Sequence, residues 1–180
     1  MLPPGHIAAG YLVAKAFIHF VQPAISQTQM RWLIVAGMFF AFAPDLDMFY
    51  GFWKMKAFRH TNDTFNHRTF ITHTPLPWLV AGVMVMLIGQ TIFWRCFGAL
   101  IWLGSWSHFL FDSSDTGIRW LYPFSQKFYA LKNPGIGEAN HTKGFFNHWW
   151  YFVHSYRRRD SLTFFTEIIL LLIAVLIFLR

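Results

Sequence analysis

From Ile168 to Leu179 the chain runs without a single polar side chain. The run lies inside a longer apolar stretch, Leu162 to Leu179 (LTFFTEIILLLIAVLIFL). Eighteen helical residues reach roughly 27 Å, close to the thickness of a bilayer's hydrocarbon core. Arg157, Arg158 and Arg159 stand just before the stretch and Arg180 just after it, as basic residues flank a membrane span. A segment of this kind needs lipid or a large apolar partner, and the rest of the chain is too apolar itself to offer a soluble shell. Of the 180 residues 55% are hydrophobic, 21% aromatic and only 13% charged, about half the charged share of soluble domains. Disorder is excluded, because there is ample apolar surface to bury. One cysteine excludes a disulfide scaffold and any cysteine-based metal site. The net charge of +7 sits between apolar runs and not along one polar helix face, so no nucleic-acid partner is expected.

Further spans follow from the same pattern. Leu76 to Trp94 is uncharged, with Pro75 and Pro77 suited to a first helical turn. Cys96 to Phe111 mixes Trp102, Gly104, Ser105 and Ser107, the small and aromatic groups that pack helices in lipid. Only Arg95 separates the two, which predicts a tight helical hairpin. Trp32 to Pro44 is a shorter uncharged run. His6 to Val21 is helical in pattern but contains Lys15 and His19, and either crosses the bilayer or lies on it as an amphipathic helix. The opening MLPPGH lacks a basic stretch before an apolar one, so no cleavable leader is expected. The predicted fold is an all-α integral membrane bundle of four to five helices, forming one domain over residues 1–180.

This topology brings chemistry to one face. If helix 1 leaves from His6 and helix 2 returns toward Asp45, both residues lie on one side of the membrane. The next helix starts after His67 and His73 on that side, and the hairpin returns to end at His108 and Asp112. Four distant segments thus deliver His and Asp to one end of a bundle, as a metal site between helices requires. Eleven basic residues collect there (Lys54, Lys56, Arg59, Arg68, Arg119, Lys127, Lys132, Lys143, Arg157, Arg158, Arg159), against Arg31, Arg95 and Arg180 opposite. That asymmetry predicts a cytoplasmic metal face.

Three motifs carry the site. HFLFD puts His108 and Asp112 at i, i+4, on one helix face. PDLD at 44–47 breaks helix 2 and supplies Asp45 and Asp47, as ligands for a hard or borderline cation or as helix caps. HRTFITH holds His67 and His73 six apart, off a common helical face, so a turn or an extended piece would have to aim both inward; Arg68 between them suits a phosphate or carboxylate oxygen. His19 and His60 have no evident partner. His141, His148 and His154 lie among Trp149, Trp150 and Tyr156 in what reads as an interfacial aromatic belt. Glu167 could face the bundle, cap a helix start or reach the site. Imidazole and carboxylate ligands without thiolates point to a catalytic hydrolytic centre, not to a closed structural zinc site.

GHIAAGYLVAK, APDLD, HRTFITHT and SHFLFDSSDTGIRWLYPFS, in that order over residues 1–125, resemble the YdjM-type family. These are bacterial inner-membrane proteins described as LexA-regulated metal-dependent hydrolases, remotely similar to the zinc-dependent phospholipase C superfamily. The resemblance implies His6, Asp45, His67, His73, His108 and Asp112 as metal ligands. It implies Asp47 as a ligand or a group orienting a histidine, Arg68 as a residue steadying substrate, and Thr72 and Asp115 behind the ligands. One departure is Thr74, where serine commonly follows the histidine. The implied activity is hydrolysis of a phosphoester or lipid-like substrate at the membrane by a metal-activated water. One to three divalent ions would serve, zinc first and manganese or magnesium next. A metal or proton transporter, or a metal-binding membrane protein without hydrolytic activity, is the alternative, favoured if the ligands were strung through mid-membrane.

Overall fold

The computed structural model describes residues 2–47, 50, 67–114, 117–131, 150 and 161–180. Helix α1 spans Pro3–Val21, α2 Gln27–Phe42, α3 Pro75–Ile88, α4 Ile92–Asp112 and α5 Ser161–Phe178. Among the described residues the regular structure is helical, apart from one antiparallel bridge between Ile118 and Tyr129 in the turns of residues 117–131.

Local sequence explains each boundary. Pro3 and Pro4 open α1, where their missing N–H groups lose no helical bond. Gln22 closes it in a left-handed conformation (φ 44°), its N–H returning to the Ile18 carbonyl. Ser26 and Gln29 form a capping box on α2: the Ser26 hydroxyl accepts from the Gln29 N–H at 3.2 Å, and the Gln29 side chain accepts from the Ser26 N–H at 3.0 Å. Pro44 ends α2 as expected, and a 3-10 turn, Ala43–Leu46, carries Asp45.

The hairpin turns earlier than its charge pattern suggests. The expected span Leu76–Trp94 is broken: α3 stops at Ile88, Gly89 caps it, and the Thr91 side chain caps α4 by accepting from the Trp94 N–H at 3.4 Å. Arg95 is therefore inside α4, its Nε donating back to the Gly89 carbonyl at 3.1 Å. The three-residue Gly-Gln-Thr break, not the charge, makes the turn, since Gly and Thr are the residues that end and start helices. Among the described residues no helix is long and apolar enough to cross a membrane.

Helices α1, α2 and α4 pack against one another, α3 packs on α4, and α5 packs on α1. Helix α1 is therefore part of the bundle, not a separate surface helix. Close approach is made possible by missing side chains. A Cβ on Gly10 would fall 2.4 Å from the Gly37 carbonyl oxygen, and one on Gly82 would fall 2.6 Å from the Gly98 carbonyl oxygen. Backbones that meet this closely bring the helix ends together and fix the spacing of whatever they carry. Ala14, Leu33, Cys96 and Leu100 fill the centre of the α1–α2–α4 contact.

Candidate metal centre

The start of α1, the end of α2, the turn before α3 and the end of α4 meet at one end of the bundle. They bring together His6, Asp45, Asp47, His73, His108 and Asp112, none more than 9% exposed. The expected convergence of four distant segments is what the structure contains for these residues. The backbone at His67 forms a 3-10 turn, His67–Thr69; its side chain, with Asp115, His60, His141, His148 and His154, lies outside the described residues.

The donor atoms are close. His6 Nε2 is 3.4 Å from Asp112 Oδ1 and 4.0 Å from Asp45 Oδ2. His73 Nε2 is 3.4 Å from Asp112 Oδ2. His108 Nε2 is 3.7 Å from both Asp45 Oδ1 and Asp112 Oδ2, and 3.2 Å from His73 Nε2. The HFLFD spacing acts as expected, with both residues on the last turns of α4.

Each of two rings is held from behind. His108 Nδ1 lies 2.9 Å from the Ala41 carbonyl oxygen. A carbonyl only accepts, so Nδ1 carries the hydrogen and Nε2 of the neutral ring turns a lone pair inward. His73 Nδ1 lies 3.2 Å from Asp47 Oδ2, and the Thr72 hydroxyl donates to that same oxygen at 2.9 Å. Asp47 thus stands on the far side of His73 from the cluster, as the carboxylate behind a metal-binding histidine does. The His6 ring stacks on His108, centroids 3.9 Å apart.

Electrostatics favour a cation here. Burial raises the Asp45 carboxyl above its ordinary range, and the nearby Asp112 charge adds to the effect. Burial alone would lower the His73 imidazole, yet hydrogen bonds to Asp112 and Asp47 and the charges of Asp112 and Asp45 lift it to about 9. The cluster therefore draws positive charge to His73. Arg68 supplies more: Nη2 is 2.9 Å from Asp112 Oδ2, and Nη1 donates to the Asp112 and Gly117 carbonyls at 3.4 Å each. Its guanidinium is directed at Asp112, so of the two anionic oxygens expected for Arg68, phosphate or carboxylate, the structure contains the carboxylate.

The residues fit a divalent ion. Nitrogen and oxygen ligands at about 2.0–2.2 Å stand roughly 3–3.5 Å from one another around an ion, and the cluster's separations are at or slightly above that. The groups His6–His108–Asp112 and Asp45–His73–His108 each have the spacing of a three-ligand site. They share His108, whose Nδ1 is committed to Ala41, leaving one nitrogen for one ion.

Three supports were not foreseen. Ala41 is among the last carbonyls of α2, which have no helical partner; the helix break at Pro44 is the signal that could have pointed to it. Arg119 donates to the Thr69 carbonyl and to Gln126 Oε1 at 2.8 Å, tying the 67–74 turn to the loop after α4. Thr74, the departure from the expected serine, donates its hydroxyl to the Ile71 carbonyl at 2.7 Å, closing the turn that aims His73.

Comparison with curated proteins and with solved structures gives no match. The motifs that carry the family resemblance end at residue 125, but a family model described as YdjM inner membrane protein matches residues 1–180, and the chain belongs to that family over its whole length.

Proposed function

We propose that the protein is a membrane-embedded hydrolase that uses one divalent ion, zinc first and manganese or magnesium next, on a phosphoester or lipid-like substrate. One observation carries this reading: His73 and His108 direct Nε2 atoms at each other across 3.2 Å, beside two buried carboxylates. Such an arrangement is costly without a proton or cation between the rings. The ligands would be His6, Asp45, His73, His108 and Asp112. A divalent ion held by imidazole and carboxylate polarises a phosphoryl or carbonyl oxygen and makes water a nucleophile near neutral pH. Asp47 keeps His73 in the tautomer that leaves Nε2 free to coordinate. Arg68 balances Asp112 and, beside the cluster, is a cation that could meet an anionic oxygen of the substrate.

Support for the membrane setting comes from the family description and from the exterior of the bundle. Trp32 and Phe39 on α2, Leu87 and Ile88 on α3, and Leu172 and Leu176 on α5 are all exposed, far more apolar surface than a soluble monomer presents. The excess of basic residues in the segments that flank the site motifs supports a cytoplasmic site in a chain that crosses the membrane several times. Ligands gathered at one end of the helices suit surface hydrolysis better than ion passage.

The test is elemental analysis of protein purified without chelator, followed by incubation with bis(p-nitrophenyl) phosphate and with phosphatidylglycerol vesicles. Bound divalent metal and metal-dependent product release are expected. Metal-loaded protein that moves zinc across vesicles and hydrolyses neither probe would replace the hydrolase with the transporter.

A further inference from the structure

We infer that Glu167, on the C-terminal helix, is the residue that positions His6 for the metal cluster; the inference rests on His6 being a ligand. The three histidines are held differently. His73 is fixed through Nδ1 by Asp47 and His108 through Nδ1 by the Ala41 carbonyl. Neither His6 ring nitrogen has a hydrogen-bond partner among the described residues, although the ring is fully buried. The ring stacks on His108 and its Nε2 faces Asp112 Oδ1 at 3.4 Å, but behind it, on the Nδ1 side, the described residues offer only the backbone of the first turn of α1 to hold it.

Glu167 holds that turn. Both its carboxylate oxygens accept from the Leu2 N–H, at 3.1 and 3.2 Å. The side chain lies flat on Gly5: a Cβ there would stand 2.5 Å from Oε1 and 2.7 Å from Cδ and Cγ. Only glycine beside His6 leaves room for this carboxylate. Glu167 is 3% exposed and borders the apolar run Ile168–Leu179, where an ionisable side chain is costly and tends to serve a site. Four residues earlier, Thr163 Oγ1 approaches Ser114 Oγ at 3.5 Å, two residues beyond Asp112. Helix α5 thus touches the cluster's supports at two places, although it contributes no ligand among the described residues.

The test uses full-length protein in detergent with Co2+ as the probe. Its visible absorption reports the ligand set as well as the affinity. Glu167→Ala should weaken cobalt binding about 10- to 100-fold, the usual effect of losing a support behind a ligand. Its spectrum should approach that of His6→Ala. Glu167→Gln, which keeps an acceptor for Leu2, should restore most of the parent spectrum. In a His6→Ala background, Glu167→Ala should cause no further loss of affinity, because the two act through one ligand. A purely structural role would lower thermal stability and leave the spectrum unchanged. Parent-like cobalt binding in Glu167→Ala, or additive losses in the double variant, would overturn the inference. Should Glu167→Ala not fold, Gly5→Ala poses the same question, since its methyl group displaces the carboxylate, and it should also give the His6→Ala spectrum. A parent protein that takes up no cobalt refutes the metal site instead. Histidine ring 15N signals then decide the matter: a shift at His6 alone in Glu167→Ala, reversed in Glu167→Gln, supports the positioning role, and an unchanged His6 signal in Glu167→Ala ends it.

Discussion

His73 and His108 meet Nε2 to Nε2 at 3.2 Å while each ring is anchored through its Nδ1, one to a carboxylate and the other to a carbonyl. Anchors behind a ligand affect affinity less than the ligand itself. Asp47→Ala should therefore weaken zinc binding about 10- to 100-fold, while His108→Ala should lose it entirely. Competition against a chromophoric chelator measures both. Equal, complete loss in the two variants would make Asp47 a direct ligand; parent affinity in Asp47→Ala would show that His73 needs no anchor.

Removing the ion should destabilise the fold. A ligand that binds only the native state at about 100 times its Kd adds roughly 2.7 kcal/mol. For a chain of this size that corresponds to a rise in Tm of about 5–10 °C. Chelated and zinc-loaded protein, compared by thermal unfolding in the same detergent, should differ by this amount. The difference should vanish in His108→Ala. A parent protein indifferent to chelator would count against the site.

The glycine contacts give a ranking. A methyl group on Gly37 would meet the Ala14 Cβ at 2.7 Å and the Gly10 carbonyl at 2.9 Å, so the backbones of α1 and α2 must separate. On Gly104 the nearest atoms are at 3.0 and 3.2 Å. Gly37→Ala should cost about 1–3 kcal/mol, and Gly104→Ala less. Because the same crossing sets the distance between His6 and Asp45, Gly37→Ala should also weaken metal binding. The reverse order of thermal midpoints would refute this account of the helix crossing.

Orientation can be read with single cysteines, because Cys96 is buried and can be replaced by serine. Thr28 and Leu131 are exposed at opposite ends of the bundle. If the site end is cytoplasmic, Leu131→Cys should resist a membrane-impermeant maleimide in intact cells and react after lysis. Thr28→Cys should react in intact cells. The opposite pattern would invert the topology and the meaning of the basic residues.

Much of the site was legible because its geometry follows from helix order. Alternating helix directions must return His6, Asp45, His73 and the His108–Asp112 pair to one end, whatever the packing. Boundaries were less legible. The polar break at 89–91 is made by Gly89 and Thr91, weak signals in an apolar run beside the more conspicuous Arg95. The supports were hidden for another reason. The Ala41 carbonyl and the Leu2 N–H are backbone groups with no side-chain signature, and Arg68 suits a phosphate or a carboxylate oxygen equally until the Asp112 carboxylate is seen beside it. Glu167 was conspicuous as the one acid in its helix, but its partner is 165 residues away in the chain.

Asp112 is the residue on which the cluster depends most. Oδ1 faces His6 at 3.4 Å, and Oδ2 faces Arg68 at 2.9 Å, His73 at 3.4 Å and His108 at 3.7 Å. Its two oxygens thus reach all three histidines. Asp112→Asn keeps the shape and one acceptor, so the Arg68 guanidinium retains an oxygen to bond. It removes the negative charge that offsets a divalent ion in a buried setting, where an uncompensated charge is costly. The variant should insert and fold, hold little or no zinc after desalting, and lose any hydrolytic activity of the parent. Metal stoichiometry of parent, Asp112→Asn and His108→Ala, measured on the same preparations, is the deciding comparison. Full occupancy in folded Asp112→Asn would remove Asp112 from the ligand set and with it the single-ion arrangement, since among the described residues His6 would then be left with Asp45, at 4.0 Å, as its carboxylate neighbour.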